Sequence, residues 1–165
     1  MISPCTVIMH LLERLEKGSV GVEVGVLGGK NLKNLCDSLP NFSKFYGIDP
    51  WIDFTDRKWY HKNKASAERN LEGEINRGRV ELIEGFSADE VAQFNDNSLD
   101  FVFIDGNHEY EFVKEDIGLW RPKVKKGGIL AGDDYKDGEQ GVVKAVDEIE
   151  GFEIHGEDVW VKRIL

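Results

Sequence analysis

Cysteine is scarce: Cys5 and Cys36 are the only two in 165 residues, far apart and outside any CxxC or Cys/His cluster. Neither a disulfide framework nor a thiolate metal site is suggested, which leaves buried or free thiols. Long hydrophobic runs are missing as well. No apolar stretch approaches the roughly 18 residues of a membrane helix, and the start lacks the basic, apolar, small-residue pattern of a signal peptide. A cytoplasmic protein with no membrane partner is the expectation. Positive charge is the third shortage, with 21 Lys and Arg against 31 Asp and Glu and a net charge of −10. Such a surface repels a phosphate backbone, whose counterions only a local Lys/Arg excess displaces, so no nucleic-acid partner is expected. The basic cluster from Arg57 to Lys64 is the exception. It reads as a solvated loop or helix start, with a docking patch as the alternative.

What is present describes a globular chain. Apolar residues make up 41% and charged residues 32%, and a chain of this size buries roughly two-thirds of its unfolded surface without cross-links. One domain covering 1–165 is the expectation, since there is no internal repeat, low-complexity tract or interdomain linker.

Short apolar, β-rich runs alternate with polar segments of helical period, the rhythm of βαβ units around a mainly parallel sheet. Val7, Ile8, Leu11, Leu12 and Leu15 predict an amphipathic opening helix closed by Gly18. Strands are predicted at 20–26, 45–48, 80–84, 99–104 and 129–132, with helices at 30–38, 65–77, 88–94, 109–120 and 139–149 between and after them. The segments 152–155 and 159–164 predict an antiparallel hairpin around Gly156 at the carboxyl end. The fold class is therefore α/β, a doubly wound, Rossmann-like sheet of about seven strands.

Sheets of this kind bind ligands beyond the carboxyl ends of their strands. The turn after the first strand reads Glu23-Val24-Gly25-Val26-Leu27-Gly28-Gly29-Lys30-Asn31. A dinucleotide fingerprint starting at Gly25 would need glycine at Leu27 and Lys30. A P-loop ending at Gly29-Lys30 would need glycine at Val24 and Ser or Thr at Asn31. Both fail. What fits is acid-x-Gly-x-x-x-Gly, followed by Asp49 twenty positions after Gly29, where a carboxylate can accept both ribose hydroxyls of an adenosine ligand. A tight strand-to-helix turn with no ligand is the alternative.

Glu84-Gly85-Phe86-Ser87 follows the third strand. Asp105-Gly106-Asn107-His108-Glu109-Tyr110, with Val113, Asp116, Ile117 and Trp120, follows the fourth, and Gly132-Asp133-Asp134-Tyr135 follows the fifth. Together these stretches resemble the broad class I methyltransferase group that includes the macrocin-type sugar O-methyltransferases, over nearly the whole chain. The resemblance implies S-adenosylmethionine as donor, with Glu23, Gly25 and Gly29 at its methionine part, Asp49 at its ribose, Phe86 and Ser87 facing its adenine, and Asp105 beside it. It also implies a magnesium site at Asp105, Asp133 and Asp134 next to the acceptor hydroxyl, and His108 as a general base alongside Asp105.

Three carboxylates at adjacent strand ends repel one another, and a hard divalent cation relieves that repulsion. The alternatives are a capped polar turn for Asp133 and Asp134, a donor-orienting role for Asp105 and a structural one for His108. The chain is shorter than the sugar enzymes, and residues 50–64, with Trp51, Phe54, Trp59 and Tyr60, supply either a lid over the donor or ordinary packing at the sheet edge. The expected partner is a small-molecule acceptor whose hydroxyl is methylated, and a homodimer is compatible with this reading. The competing functions are transfer to nitrogen or carbon without metal, and a nucleoside-binding module without catalysis.

Overall fold

Seven strands form one sheet in the order β3-β2-β1-β4-β5-β7-β6 in the computed structural model, which describes residues 4–52 and 60–165. Strands β1 (Ser19–Val24), β2 (Phe42–Asp49), β3 (Val80–Glu84), β4 (Leu99–Ile104) and β5 (Val124–Gly132) are mutually parallel. The chain then turns back: β7 (Val159–Arg163) runs antiparallel to β5, and β6 (Glu153–His155) lies antiparallel outside it. The carboxy-terminal hairpin thus extends the sheet at its β5 edge.

Parallel central strands are buried on both faces and read as continuous apolar runs rather than alternating ones. In β4 the two faces separate cleanly. Phe101 and Phe103 join a core with Leu32, Leu35, Phe42, Phe45 and Leu71, beneath helices α2 (Lys30–Ser38) and α3 (Tyr60–Asn76). Val102 and Ile104 join a second core with Val113, Ile117, Trp120 and Val142, beneath α5 (Tyr110–Trp120) and α6 (Gln140–Val146). Both cysteines are free and buried in the first core. Burial raises both thiols well above their usual range.

Three helical elements are smaller than their patterns predict, among them α6, which ends at Val146 rather than 149. The opening segment is a 3-10 turn, Pro4–Ile8, running into a single α turn, α1 (Met9–Leu12). The segment after β3 is one α turn, α4 (Ser87–Glu90), continued as 3-10 helix over Val91–Gln93. Conversely, β2 and β5 begin earlier than expected, because neighbouring strands supply hydrogen-bond partners that no local pattern announces. No helix among the described residues is long and apolar enough to cross a membrane. Strand order runs outward from β1 to β2 and β3 on one side and to β4 and β5 on the other, so a crevice opens at the carboxyl ends of β1 and β4.

Candidate functional site

Asp49, the last residue of β2, pins the turn that follows β1. Its Oδ2 accepts Leu27 N–H at 2.8 Å and its Oδ1 accepts Trp51 N–H at 2.7 Å. Both donors belong to non-glycine residues in the left-handed region, Leu27 at φ 50° and Trp51 at φ 42°. Such backbone costs on the order of 1–3 kcal/mol per residue and persists only where its surroundings enforce it. The Trp51 indole closes the arrangement from below, donating Nε1–H to the Leu27 carbonyl at 2.9 Å while its ring lies in the core. Trp51 is therefore a support under the turn rather than a lid. Phe54 and Trp59 of the aromatic segment lie outside the described residues.

A groove of about 850 Å³ opens beside this turn, with Gly25, Asp49, Phe86, Ser87, Asp105 and His108 among its lining residues. Five of the seven positions assigned to the donor from sequence thus meet in one space. Glu23 and Gly29 do not line it. Glu23 is 1% exposed beneath the turn, where Asn31 Nδ2–H donates to its Oε1 at 2.7 Å and its Oε2 has no hydrogen-bond partner. Burial pushes its carboxyl up to about 8, with Asp105 and Asp49 adding to the shift and Asn31 opposing it.

The two glycines have packing reasons of their own. Gly25 sits at φ 87°, and a β-carbon there would fall 2.0 Å from the Asp105 carbonyl oxygen. Gly29, at φ 75°, faces α3, where a β-carbon would meet Leu71 Cδ1 at 3.0 Å and Ala67 Cα at 3.1 Å. The clearance at Gly29 is therefore taken by a helix and not by the groove.

Pairing of Ile104 with Gly132 in β4 and β5 places the loops carrying Asp105 and Asp133 side by side. The acids there form two overlapping sets, Asp105–His108–Asp134 and Asp133–Asp134–Asp158, each with ligand atoms close enough to share a cation. The trio expected from sequence, Asp105, Asp133 and Asp134, is divided between them. Asp134 stands in both sets, in the left-handed conformation at φ 63°. Side-chain cations already face it: Lys136 Nζ bonds Asp134 and reaches Asp158 at 3.2 Å, and His108 Nε2 lies 3.2 Å from Asp134 Oδ2.

His108 also faces Asp105 at 3.8 Å and, through Nδ1, Glu139 at 3.3 Å. Asp105 contributes most, with Asp134 and Glu139 adding to it, and the imidazole is raised to about 9. Asp133 is raised to about 7 by burial first and by Asp105 second, and its Oδ1 is buried without a hydrogen-bond partner. Oxygen donors and one orphaned carboxylate oxygen fit a hard divalent cation in type. In placement they fit it only after Lys136 and His108 release Asp134.

Several groove and cluster residues escaped sequence reasoning. Phe112, Glu115 and Asp116 line the groove, and Lys136, Glu139 and Asp158 surround the acids. For Asp116 a signal exists, because it stands on the apolar stripe of α5 with Val113, Ile117 and Trp120, where a carboxylate is out of place. For Asp158 there is none, since it reaches Asp134 only through the hairpin.

Residues 22–135 match the family described as "Methyltransferase domain". A protein of Acanthamoeba polyphaga mimivirus, described as uncharacterised, is 31% identical over 137 residues, 78% of this chain; the chain spans 59% of that relative's length. Among solved structures, an O-methyltransferase from Bacillus cereus in complex with SAH superposes with TM-score 0.70 at 17% identity, over 98% of this chain and 81% of that one. An rRNA methylase from Streptococcus thermophilus gives 0.71 at 15% identity, over 100% and 99%. The fold is thus the Rossmann-like one shared with these methyltransferases, and the crevice lies at its β1/β4 switch point. Because the matched span holds the pinned turn, the groove and the acids from Asp105 to Asp134, the chain belongs to the methyltransferase-domain family.

Proposed function

We propose that the chain transfers the methyl group of S-adenosylmethionine to a hydroxyl oxygen of a small molecule, a sugar or a secondary metabolite. The observation that carries this reading is the groove itself. It is lined by Asp49 and by the Asp105–His108 loop, and lies at the switch point where folds of this kind bind ligands. Asp49 offers the remaining lone pairs of both its oxygens to the ribose while still holding Leu27 and Trp51. Phe86 and Ser87 take the base, and Gly25 leaves the path to the methionine part open. The net charge of −10 supports a small acceptor over a nucleic acid.

In the transfer the acceptor oxygen bonds the methyl carbon, the carbon–sulfur bond breaks, S-adenosylhomocysteine leaves and the hydroxyl proton passes to a base. His108 is that base once it has given up the proton its three carboxylates hold on it. Asp133, Asp134 and Asp158, one of the two sets into which the expected trio divides, would hold magnesium, and the orphaned Oδ1 of Asp133 supports this. When bound, such a cation lowers the pKa of the hydroxyl and fixes its approach. The remaining contribution is alignment of oxygen, methyl and sulfur in the groove.

One observation favours a second reading. Lys136 and His108 already neutralise Asp134, which suits metal-free transfer, including to nitrogen. The deciding experiment measures S-adenosylhomocysteine formation with a panel of small hydroxyl and amine acceptors, with and without EDTA, in the wild type and in Asp134→Ala. Loss of turnover in both perturbations at unchanged donor affinity supports the magnesium form, and full activity in both supports the metal-free one. Donor binding with no turnover on any acceptor would leave a non-catalytic nucleoside-binding module.

A further inference from the structure

Helix α6 contributes nothing to the groove lining, yet it meets the segment 108–110 at three points. Gly141, in its first turn, packs on the backbone there: a β-carbon would overlap the His108 carbonyl oxygen and stand 2.7 Å from the Tyr110 nitrogen. Lys144 sets its Nζ 3.6 Å from the centre of the Tyr110 ring, and just past the helix Glu148 Oε1 accepts the Tyr110 hydroxyl at 2.6 Å. The third point is the imidazole itself. Glu139, which immediately precedes α6, brings its Oε2 to 3.3 Å from His108 Nδ1.

The two ring nitrogens have different surroundings. Nε2 faces Asp134 at 3.2 Å and Asp105 at 3.8 Å, and Asp105 lines the groove. Nδ1 faces Glu139, which does not. Nε2 is therefore the nitrogen turned toward the acceptor.

The outer torsion of a histidine is broad and roughly two-fold, so a half-turn of the ring puts a carbon where Nε2 stood. A partner has to choose between the two orientations. Those at Nε2 cannot keep that choice through the transfer: Lys136 also bonds Asp134, and Nε2 must leave its carboxylates to meet the acceptor oxygen. Glu139 is the partner that stays. The side chains of His108 and Glu139 are 35% and 37% exposed, and an ion pair that exposed adds little to stability. Its consequence is orientation.

We propose that Glu139 is a positioning residue for the transfer, holding His108 Nδ1 from the head of α6 so that Nε2 stays presented to the acceptor hydroxyl. This rests on the reading above, in which His108 takes the acceptor proton.

The first test is the imidazole ¹H–¹⁵N spectrum at neutral pH. The wild type is expected to show a slowly exchanging Nδ1–H that disappears in Glu139→Ala and returns in Glu139→Gln, whose amide oxygen still accepts. Turnover is then measured with a hydroxyl acceptor from the panel above. Glu139→Ala should lower kcat at least about tenfold and leave KM and the affinity for S-adenosylhomocysteine within about threefold. Its melting temperature should stay within about 4 °C of the wild type. Glu139→Gln should restore kcat to within about threefold. In a His108→Ala background, Glu139→Ala should cost nothing further.

A wild type without a protected Nδ1–H, an unchanged kcat in folded Glu139→Ala, or an equal loss in both backgrounds overturns the inference. Full activity of His108→Ala, or no turnover by the wild type on any acceptor, removes the reading that makes His108 the base, and the inference falls with it. Neither of those outcomes involves a change at Glu139, so the two failures are distinct.

Discussion

Asp49 Oδ2 accepts the backbone N–H of Leu27 at 2.8 Å, so the acid that ends β2 holds the glycine turn that ends β1. Through Oδ1 it holds Trp51 as well. One carboxylate therefore shapes two backbone segments of the groove and lines that groove at the same point.

That double duty sets the outcome of replacing Asp49. In Asp49→Asn one oxygen becomes a donor and cannot serve both N–H groups. We expect the affinity for S-adenosylhomocysteine to fall more than about tenfold and stability to drop by about 1.5–3 kcal/mol, the worth of one charged hydrogen bond. Calorimetry and melting should show both losses together, and unchanged donor affinity would remove Asp49 from the ribose site.

Gly25→Ala should fail through the fold. The β-carbon has no space against the Asp105 carbonyl at 2.0 Å, and φ 87° is costly for alanine. A destabilisation of at least about 3 kcal/mol is expected. Gly29→Ala should cost less, about 1–2 kcal/mol for its backbone conformation together with a small shift of α3, because its contacts with Leu71 Cδ1 at 3.0 Å and Ala67 Cα at 3.1 Å are far looser than the 2.0 Å met at Gly25. Donor affinity in the folded Gly29→Ala protein should stay near the wild type. If denaturant titration ranks the two in the opposite order, the packing account is wrong.

His108 should titrate well above an ordinary imidazole. Its folded value is raised to about 9 by Asp105, Asp134 and Glu139. The stability it contributes is then fully present below about 6.5 and is lost as pH rises toward 9. In metal-free protein, NMR of the imidazole protons should place the titration above pH 8. A value near 6.5 would show that the three carboxylates do not act on it.

Glu23 predicts a second pH effect with the same sign. Its carboxyl is raised from 4.5 to about 8 by burial, so the folded state keeps a proton that the unfolded chain loses above pH 4.5. Stability should fall as pH climbs from 4.5 to 8 and level off beyond. Glu23→Gln should flatten that slope and leave donor affinity within about threefold, since Glu23 does not line the groove. A binding loss with an unchanged pH profile would return Glu23 to the donor site.

Lys136→Ala should remove the cation that reaches Asp158 and one of the two cations facing Asp134, leaving His108. Magnesium binding, followed by calorimetry, is expected to tighten on the order of tenfold. Failure of either protein to bind magnesium would leave metal-free transfer as the mechanism.

The sequence by itself determined the element order, the parallel sheet with its terminal hairpin, and the placing of Gly25, Asp49, Phe86, Ser87 and Asp105 around one crevice. These are legible because apolar periodicity and turn chemistry are local, and because parallel sheets collect the ends of their strands on one edge. Tertiary structure alone decided the rest. Trp51 became a support because the Leu27 carbonyl lies within reach of its indole, and Glu23 sank beneath the turn because Asn31 of α2 covers it. The acids divided into two sets because Lys136 folds back onto Asp134 and the hairpin brings Asp158 beside it. Such contacts join residues far apart in sequence or turn on a single rotamer, and neither leaves a spacing to read.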